Sequence, residues 1–190
     1  MGGADKGSIR IGGRTILERV LDRLRPQCQG LIVNANTDAA HLSSAGVVVV
    51  ADGVPDQPGP LAGVLAGLDW AALNAPKIAW VVTAPSDAPF LPRDLVAGLH
   101  RARGYADVQI ACAASCGRRH PVVAVWPVTL REHLRRALTT EGARKVEDWA
   151  ARFTNVAAEW PAAPVDPFFN VNTPEQVAAA ERLAAQFPDA

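Results

Sequence analysis

The chain has no excess of either charge, no cysteine framework, no long apolar run and no internal repeat, and each lack excludes something. Its 19 basic and 19 acidic residues cancel. That disfavours a general nucleic-acid binder, whose surface carries a basic excess, and leaves only local basic clusters. Cysteines number three, Cys28, Cys112 and Cys116. An odd count builds no disulfide framework, and the single Cys112/Cys116 pair, without a second one, reads as ordinary thiols rather than a zinc site. No apolar stretch approaches the ~18 residues of a membrane span, and no charged-then-apolar leader opens the chain. The expectation is a soluble cytoplasmic protein with neither membrane nor nucleic acid as partner. No linker or low-complexity run divides it.

What is present is a globular composition, 49% apolar over 190 residues, enough for one domain with a real core. Helical and strand periods alternate along it. Thr15–Arg25 sets Ile16, Leu17, Val20, Leu21 and Leu24 on one helical face, as the 3.6-residue period requires. Leu31–Asn34 and Val47–Val50 read as short buried strands. Helical spacing returns over Pro60–Trp70, a third strand over Ile78–Thr83, and a helix from Pro92 to Arg103. Two further strands, Val108–Ala113 and Val122–Trp126, flank a polar turn around Gly117. Helices follow over Thr129–Leu138 and Gly142–Ala151, then an edge strand over Thr154–Glu159 and a closing helix over Pro174–Phe187. This alternation predicts an α/β fold, a mostly parallel sheet with helices on both faces, in a single domain from residue 1 to 190.

Ligands of such sheets sit at the carboxyl ends of the strands. Asn34 and Asn36 follow the first strand, Asp52 the second and Asp87 the third, while Asn170 and Asn172 lie in Phe-Phe-Asn-Val-Asn-Thr-Pro. Singly, such residues are turn-formers and helix caps; as a set they read as one site. Asp87 stands between Pro85 and Pro89, so its backbone is restricted. Two roles fit it, a ligand of Mg2+, which takes one or two carboxylates plus phosphate oxygens and water, or a cap on the helix that follows. The wider set favours the metal. At the front, Gly2-Gly3 and Lys6 resemble half of a phosphate-binding loop, glycines allowing close approach and a lysine supplying a cation. Gly59 and Gly63 bracket a helix start, where free amides face an anion or where glycine serves only packing.

Taken in order, Gly2-Gly-Ala-Asp-Lys-Gly7, Val33-Asn-Ala-Asn36, Ala51-Asp52, Pro58-Gly-Pro-Leu-Ala-Gly63, Ser86-Asp-Ala-Pro89 and Phe169-Asn-Val-Asn-Thr-Pro174 resemble the molybdenum cofactor guanylyltransferases, the MobA family. The resemblance implies a Rossmann-like, three-layer nucleotidyltransferase that moves GMP from GTP to the phosphate of molybdenum-bound molybdopterin with Mg2+. It further implies that Lys6 contacts the triphosphate, that Asn34 and Asp52 lie at the guanine and ribose end, and that Asp87 holds the magnesium. Asn170 and Asn172 would stand on the acceptor side. Arg118, Arg119 and His120, with Arg144 and Lys145, would meet the anionic pterin or else form a solvated face. A molybdoenzyme or chaperone would receive the product. Family members carry an apolar strand and a glycine-rich turn ahead of Met-Gly-Gly, so the resemblance implies either a protein longer at its amino end by ~15–20 residues, one strand and its loop, which is favoured, or a truncated product with poor or no activity. Other outcomes are a cytidylyl- or sugar-phosphate nucleotidyltransferase, or a non-catalytic nucleotide-binding protein.

Overall fold

Two pairs of residues with positive φ shape this fold. A computed structural model describes residues 6–36, 46–54, 59–104 and 108–188. After a 3-10 turn at Lys6–Ser8, Gly12 and Gly13 (φ 58° and 80°) close a small hairpin of β1 (Arg10–Ile11) and β2 (Arg14–Thr15). Two successive left-handed residues match the twist of paired strands. The hairpin leads into α1 (Ile16–Leu24), started by a capping box in which Thr15 and Glu18 each satisfy the other's backbone amide.

Next come β3 (Ile32–Asn34), β4 (Val48–Val50), α2 (Pro60–Asn74), β5 (Trp80–Thr83) and α3 (Leu95–Gly104). The second positive-φ pair, Cys116 (φ 51°) and Gly117 (φ 70°), joins β6 (Ile110–Ser115) to β7 (Arg118–Pro127). Then follow α4 (Arg131–Thr139), α5 (Val146–Ala150), β8 (Asn155–Trp160) and α6 (Pro174–Gln186). Thr173 and Gln176 form a second capping box at α6.

The expected single, mostly parallel sheet is corrected in two respects. Among the described residues the main sheet has four strands in the order β5-β7-β6-β8, with β7 antiparallel to both neighbours and only β6 and β8 parallel. The cause is the two-residue turn at Cys116-Gly117, which folds β7 back on β6 where a parallel crossover would need a dozen residues or more. β3 and β4 pair in parallel in a separate two-stranded sheet.

Helices cover both faces of the main sheet. Ala111, Ala113, Val123 and Val125 point into one cluster with Ile16, Val20, Leu95 and Leu99. Their neighbours Ile110, Cys112, Ala124 and Trp126 point the other way, against Leu61, Leu65 and Leu134. This is strand alternation doing its ordinary work. Trp126, 1% exposed, also donates from Nε1 to Thr83 Oγ1 (2.8 Å), and that hydroxyl donates to the Val122 carbonyl (2.6 Å), tying β5 to β7 through side chains.

Candidate functional site

The ends of β3 and β4 carry a linked polar group. Asn34 Nδ2 donates to Asp52 Oδ1 at 2.9 Å and to the Val50 carbonyl at 3.1 Å. Asn36 Nδ2 donates to Asp52 Oδ2 at 2.6 Å, and Asn36 Oδ1 accepts from the Asp52 amide at 2.8 Å. Each carboxylate oxygen of Asp52 is thereby held by one amide. A carboxylate has roughly four acceptor sites, so capacity remains for ligand hydroxyls. The parallel register of Asn34 with Val50 is what brings the two strand ends level.

The amino end of α2 stands over this group. A Cβ on Gly63 would lie 2.7 Å from Asn34 Oδ1, so glycine there lets the helix approach the strand end closely. Gly59 caps the helix at φ 145°, a value reserved in practice for glycine. The positive end of a 15-residue helix therefore lies beside Asn34 and Asp52, where negative charge is favoured.

Asp87 lies in the turn after β5, with its Oδ1 buried. Its segment is clamped from three directions. The Asp87 carbonyl accepts from Val171 N at 2.9 Å, which seats the 170–172 strip on it. Arg23 of α1, 7% exposed, donates to the Leu91 carbonyl at 2.9 Å. Burial pushes the Arg23 guanidinium down to about 10, and it is still charged at neutral pH. Gln27 donates to the Pro92 carbonyl (3.0 Å) and accepts from Val96 N (2.9 Å). Asn170 and Asn172 flank Val171, so they are neighbours of Asp87, and Asn172 N donates to Gln176 Oε1 at 2.7 Å.

A cavity of about 1010 Å³ is lined by Asn34, Asn36 and Asp52 and by Thr83, Ala84 and Ser86, the last being the residue before Asp87. The structure thus brings together Asn34, Asn36 and Asp52 on the cavity wall, and separately Asp87 with the 170–172 strip, which do not line that cavity. His120 stacks on Phe168 (ring centroids 4.7 Å), hydrogen-bonds Ser115 Oγ through Nε2 (2.9 Å), and so touches the strip that leads to Asn170. Arg119 lies elsewhere: Nη1 donates to Asn155 Oδ1 at 2.7 Å, and the side chain lines a second cavity of about 350 Å³ beside Glu147 and Asp148. Two carboxylates there make poor company for an anion. Arg118 is exposed. Lys6 begins the first 3-10 turn, while its side chain, Gly2, Gly3 and Pro58 lie outside the described residues.

Among the described residues no three His, Cys, Asp or Glu side chains cluster as a metal cage. The single carboxylate of Asp87 fits a divalent ion that draws its other ligands from phosphate and water. No helix among the described residues is long and apolar enough to cross a membrane.

A family model described as the MobA-like NTP transferase domain matches residues 1–156. The chain belongs to this family. A Nitrobacter hamburgensis protein named molybdenum cofactor guanylyltransferase is 55% identical over 185 residues, covering 97% of this chain and 88% of that protein. The molybdopterin-guanine dinucleotide biosynthesis protein A of Archaeoglobus fulgidus superposes with a TM-score of 0.74 at 23% identity, over 97% of this chain and 92% of that one. The 2-C-methyl-D-erythritol 4-phosphate cytidylyltransferase of Thermus thermophilus gives 0.71 at 22%, over 96% and 95%. At those identities the two structures share the α/β fold of this MobA-like domain and no more.

Some residues of the site escape sequence patterns. Arg23 and Gln27 lie 68 and 65 residues from the carbonyls they hold, those of Leu91 and Pro92. Nothing in their spacing announces that contact. Ser115 gives no signal either. Asn36 is different: it was read with Asn34 as a polar residue after the first apolar strand, and both hold Asp52.

Proposed function

We propose that this chain transfers GMP from GTP to the phosphate of molybdenum-bound molybdopterin, forming the guanine dinucleotide form of the cofactor. An acceptor phosphate oxygen attacks the α-phosphorus, the bond from that phosphorus to the bridging oxygen breaks, and pyrophosphate leaves with the electron pair. The nucleophile is already anionic, so neither a general base nor a covalent enzyme intermediate is needed. Such transfers are governed by positioning and charge neutralisation. The linked Asn34–Asn36–Asp52 group on the wall of one large cavity, with the Thr83–Ser86 segment that leads to Asp87 lining the same cavity, supports this assignment.

In this reading Asp52, held by two amides, accepts the ribose hydroxyls, and Asn34 meets the base beside the α2 amino end. Lys6 contributes a cation to the triphosphate. Asp87 would hold Mg2+, which would supply charge neutralisation at the phosphates. Asn170 and Asn172 face the acceptor, with His120 supporting their strip from below through Phe168. The clamp of Arg23, Gln27 and Val171 fixes the position of Asp87 without touching substrate. A molybdoenzyme or its chaperone takes the product.

The test is turnover with loaded molybdopterin and GTP, CTP or UTP in competition, followed by pyrophosphate release. Pyrophosphate from GTP alone is the expected result. Release from CTP or UTP instead would assign another transferase, and nucleotide binding without release would assign a binding protein.

A further inference from the structure

The smaller cavity, of about 350 Å³, shares no lining residue with the large one. It lies where residues of β6, β7, β8 and α5 meet. A break in strand pairing stands beside it. Cys112 of β6 pairs with Ala124 of β7, but the next residue, Ala113, pairs with His120. β7 therefore spends three residues, 121–123, where β6 spends none. Bulges of this kind interrupt pairing and re-aim side chains, and Pro121 has no N–H to give to a ladder. Pro121 and Cys112 line the cavity from the two strands of that break.

The floor is apolar and the rim is charged. Ile110 and Trp126 are each 1% exposed and Cys112 is 7%, whereas Arg119, Glu147 and Asp148 are exposed. Asn155 fixes the arginine. Its Nδ2 donates to the Ala150 and Phe153 carbonyls (3.2 and 3.0 Å), which orients Oδ1 to accept from Arg119 Nη1 (2.7 Å). A guanidinium carries five N–H donors, so donors remain for a carboxylate, which it grips in pairs. Neither Glu147 nor Asp148 forms an ion pair among the described residues. Both signs of charge nevertheless reach the floor: burial pushes the Cys112 thiol up, Arg119 pulls it down, and Glu147 pushes it up.

A bare anion meets two carboxylates here, and a bare cation meets a fixed guanidinium. A molecule that carries both charges beside an apolar group answers all three features. We propose that this cavity binds a small zwitterion, of the class of a free α-amino acid with an aliphatic side chain. The carboxylate takes the remaining N–H groups of Arg119, the ammonium lies by Glu147 and Asp148, and the side chain packs on Ile110, Cys112 and Trp126. The volume is at the small end for ligand sites, roughly 300 Å³, as a ligand of this size requires. No residue of this site has a part in the proposed GMP transfer, so the two readings fail separately.

The test titrates the 190-residue chain with L-leucine, with 4-methylpentanoate, which lacks the amine, and with 3-methylbutylamine, which lacks the carboxylate. Calorimetry reads the affinity and amide NMR shifts locate the ligand. Leucine is expected to bind saturably with a Kd of about 1 mM or tighter, with shifts concentrated at residues 110–112, 119–121 and 147–155. Each analogue should bind about tenfold more weakly, the loss of a hydrogen bond to a charged group. Arg119→Gln and Glu147→Gln, both at exposed positions, should each weaken leucine by about the same factor and leave the melting temperature unchanged. No saturable binding of leucine, shifts centred elsewhere, or an analogue that binds as well as leucine overturns the proposal. So does unaltered leucine affinity in both variants. The analogue comparison uses the unaltered chain, so a variant that fails to fold leaves it decisive.

Discussion

β6 and β3 are both strands of one α/β chain, yet all six residues of β6 are buried and none of β3 is. The difference lies in their neighbours. β6 has a strand on each side and helices on both faces, so even its polar Ser115 is 2% exposed. Among the described residues β3 has β4 as its one strand partner, and it lines the large cavity. Apolar sequence alone does not bury a strand; a partner on each edge does. The same contrast divides the site. Asp87 is clamped by the well-packed half of the molecule, whereas Asp52 is held only by two asparagines at the ends of short, half-exposed strands.

The largest expected effect falls on the packed half. Trp126→Ala removes a fully buried ring and the hydrogen bond to Thr83, and should cost about 3–5 kcal/mol of stability. Val49→Ala, on the loose side, should cost about 1 kcal/mol or less, because its surroundings already expose it. Equal losses in urea unfolding would erase the contrast between the two halves. The site should divide likewise. Asp87→Asn keeps the clamped backbone and is expected to lower kcat by about 10²–10³-fold, with little change in melting temperature. Asp52→Asn should mainly raise the KM for GTP, about tenfold, the worth of one hydrogen bond to a charged group. Reversed effects in steady-state kinetics would reverse the assigned roles.

The smallest effect concerns pH. Burial pulls the His120 imidazole below its ordinary value, with the charge of Asp166 working in the opposite direction. The unfolded chain therefore binds more protons than the folded one below about pH 6.5. Stability from this group is complete above that value and is lost as pH falls through it. Burial shifts His100 the same way. Melting temperature should drop modestly between pH 7.5 and 5.5, and His120→Gln should flatten part of that slope. An unchanged slope in the variant would remove His120 from the account.

The element order was legible because periodicity, caps and glycines are local. The helix begun at Thr15 and the one begun at Thr173 start where their capping residues stand. The strand over 154–159 was readable as an edge, and it is one. Strand direction was not legible, because it turned on two dihedral angles at Cys116 and Gly117. The residue types expected at the site were visible as polar residues after strands. That they gather was expected from the set, but the contacts that join them were not legible: the β3–β4 register brings Asn34 level with Asp52, and the Asp87–Val171 hydrogen bond brings the 170–172 strip to Asp87.

The sequence by itself determined that this is an α/β transferase-family domain, where its helices begin, and which polar residues stand at strand ends. These properties depend on contacts within a few residues or on matched motifs. Only the tertiary structure decided that Arg119 turns toward Asn155 and lines the smaller cavity, that Arg23 and Gln27 fix the Asp87 segment, and that β3 and β4 pair apart from the main sheet. Those outcomes depend on which distant backbone edges and side chains meet, and no local pattern encodes a meeting between residues more than sixty positions apart.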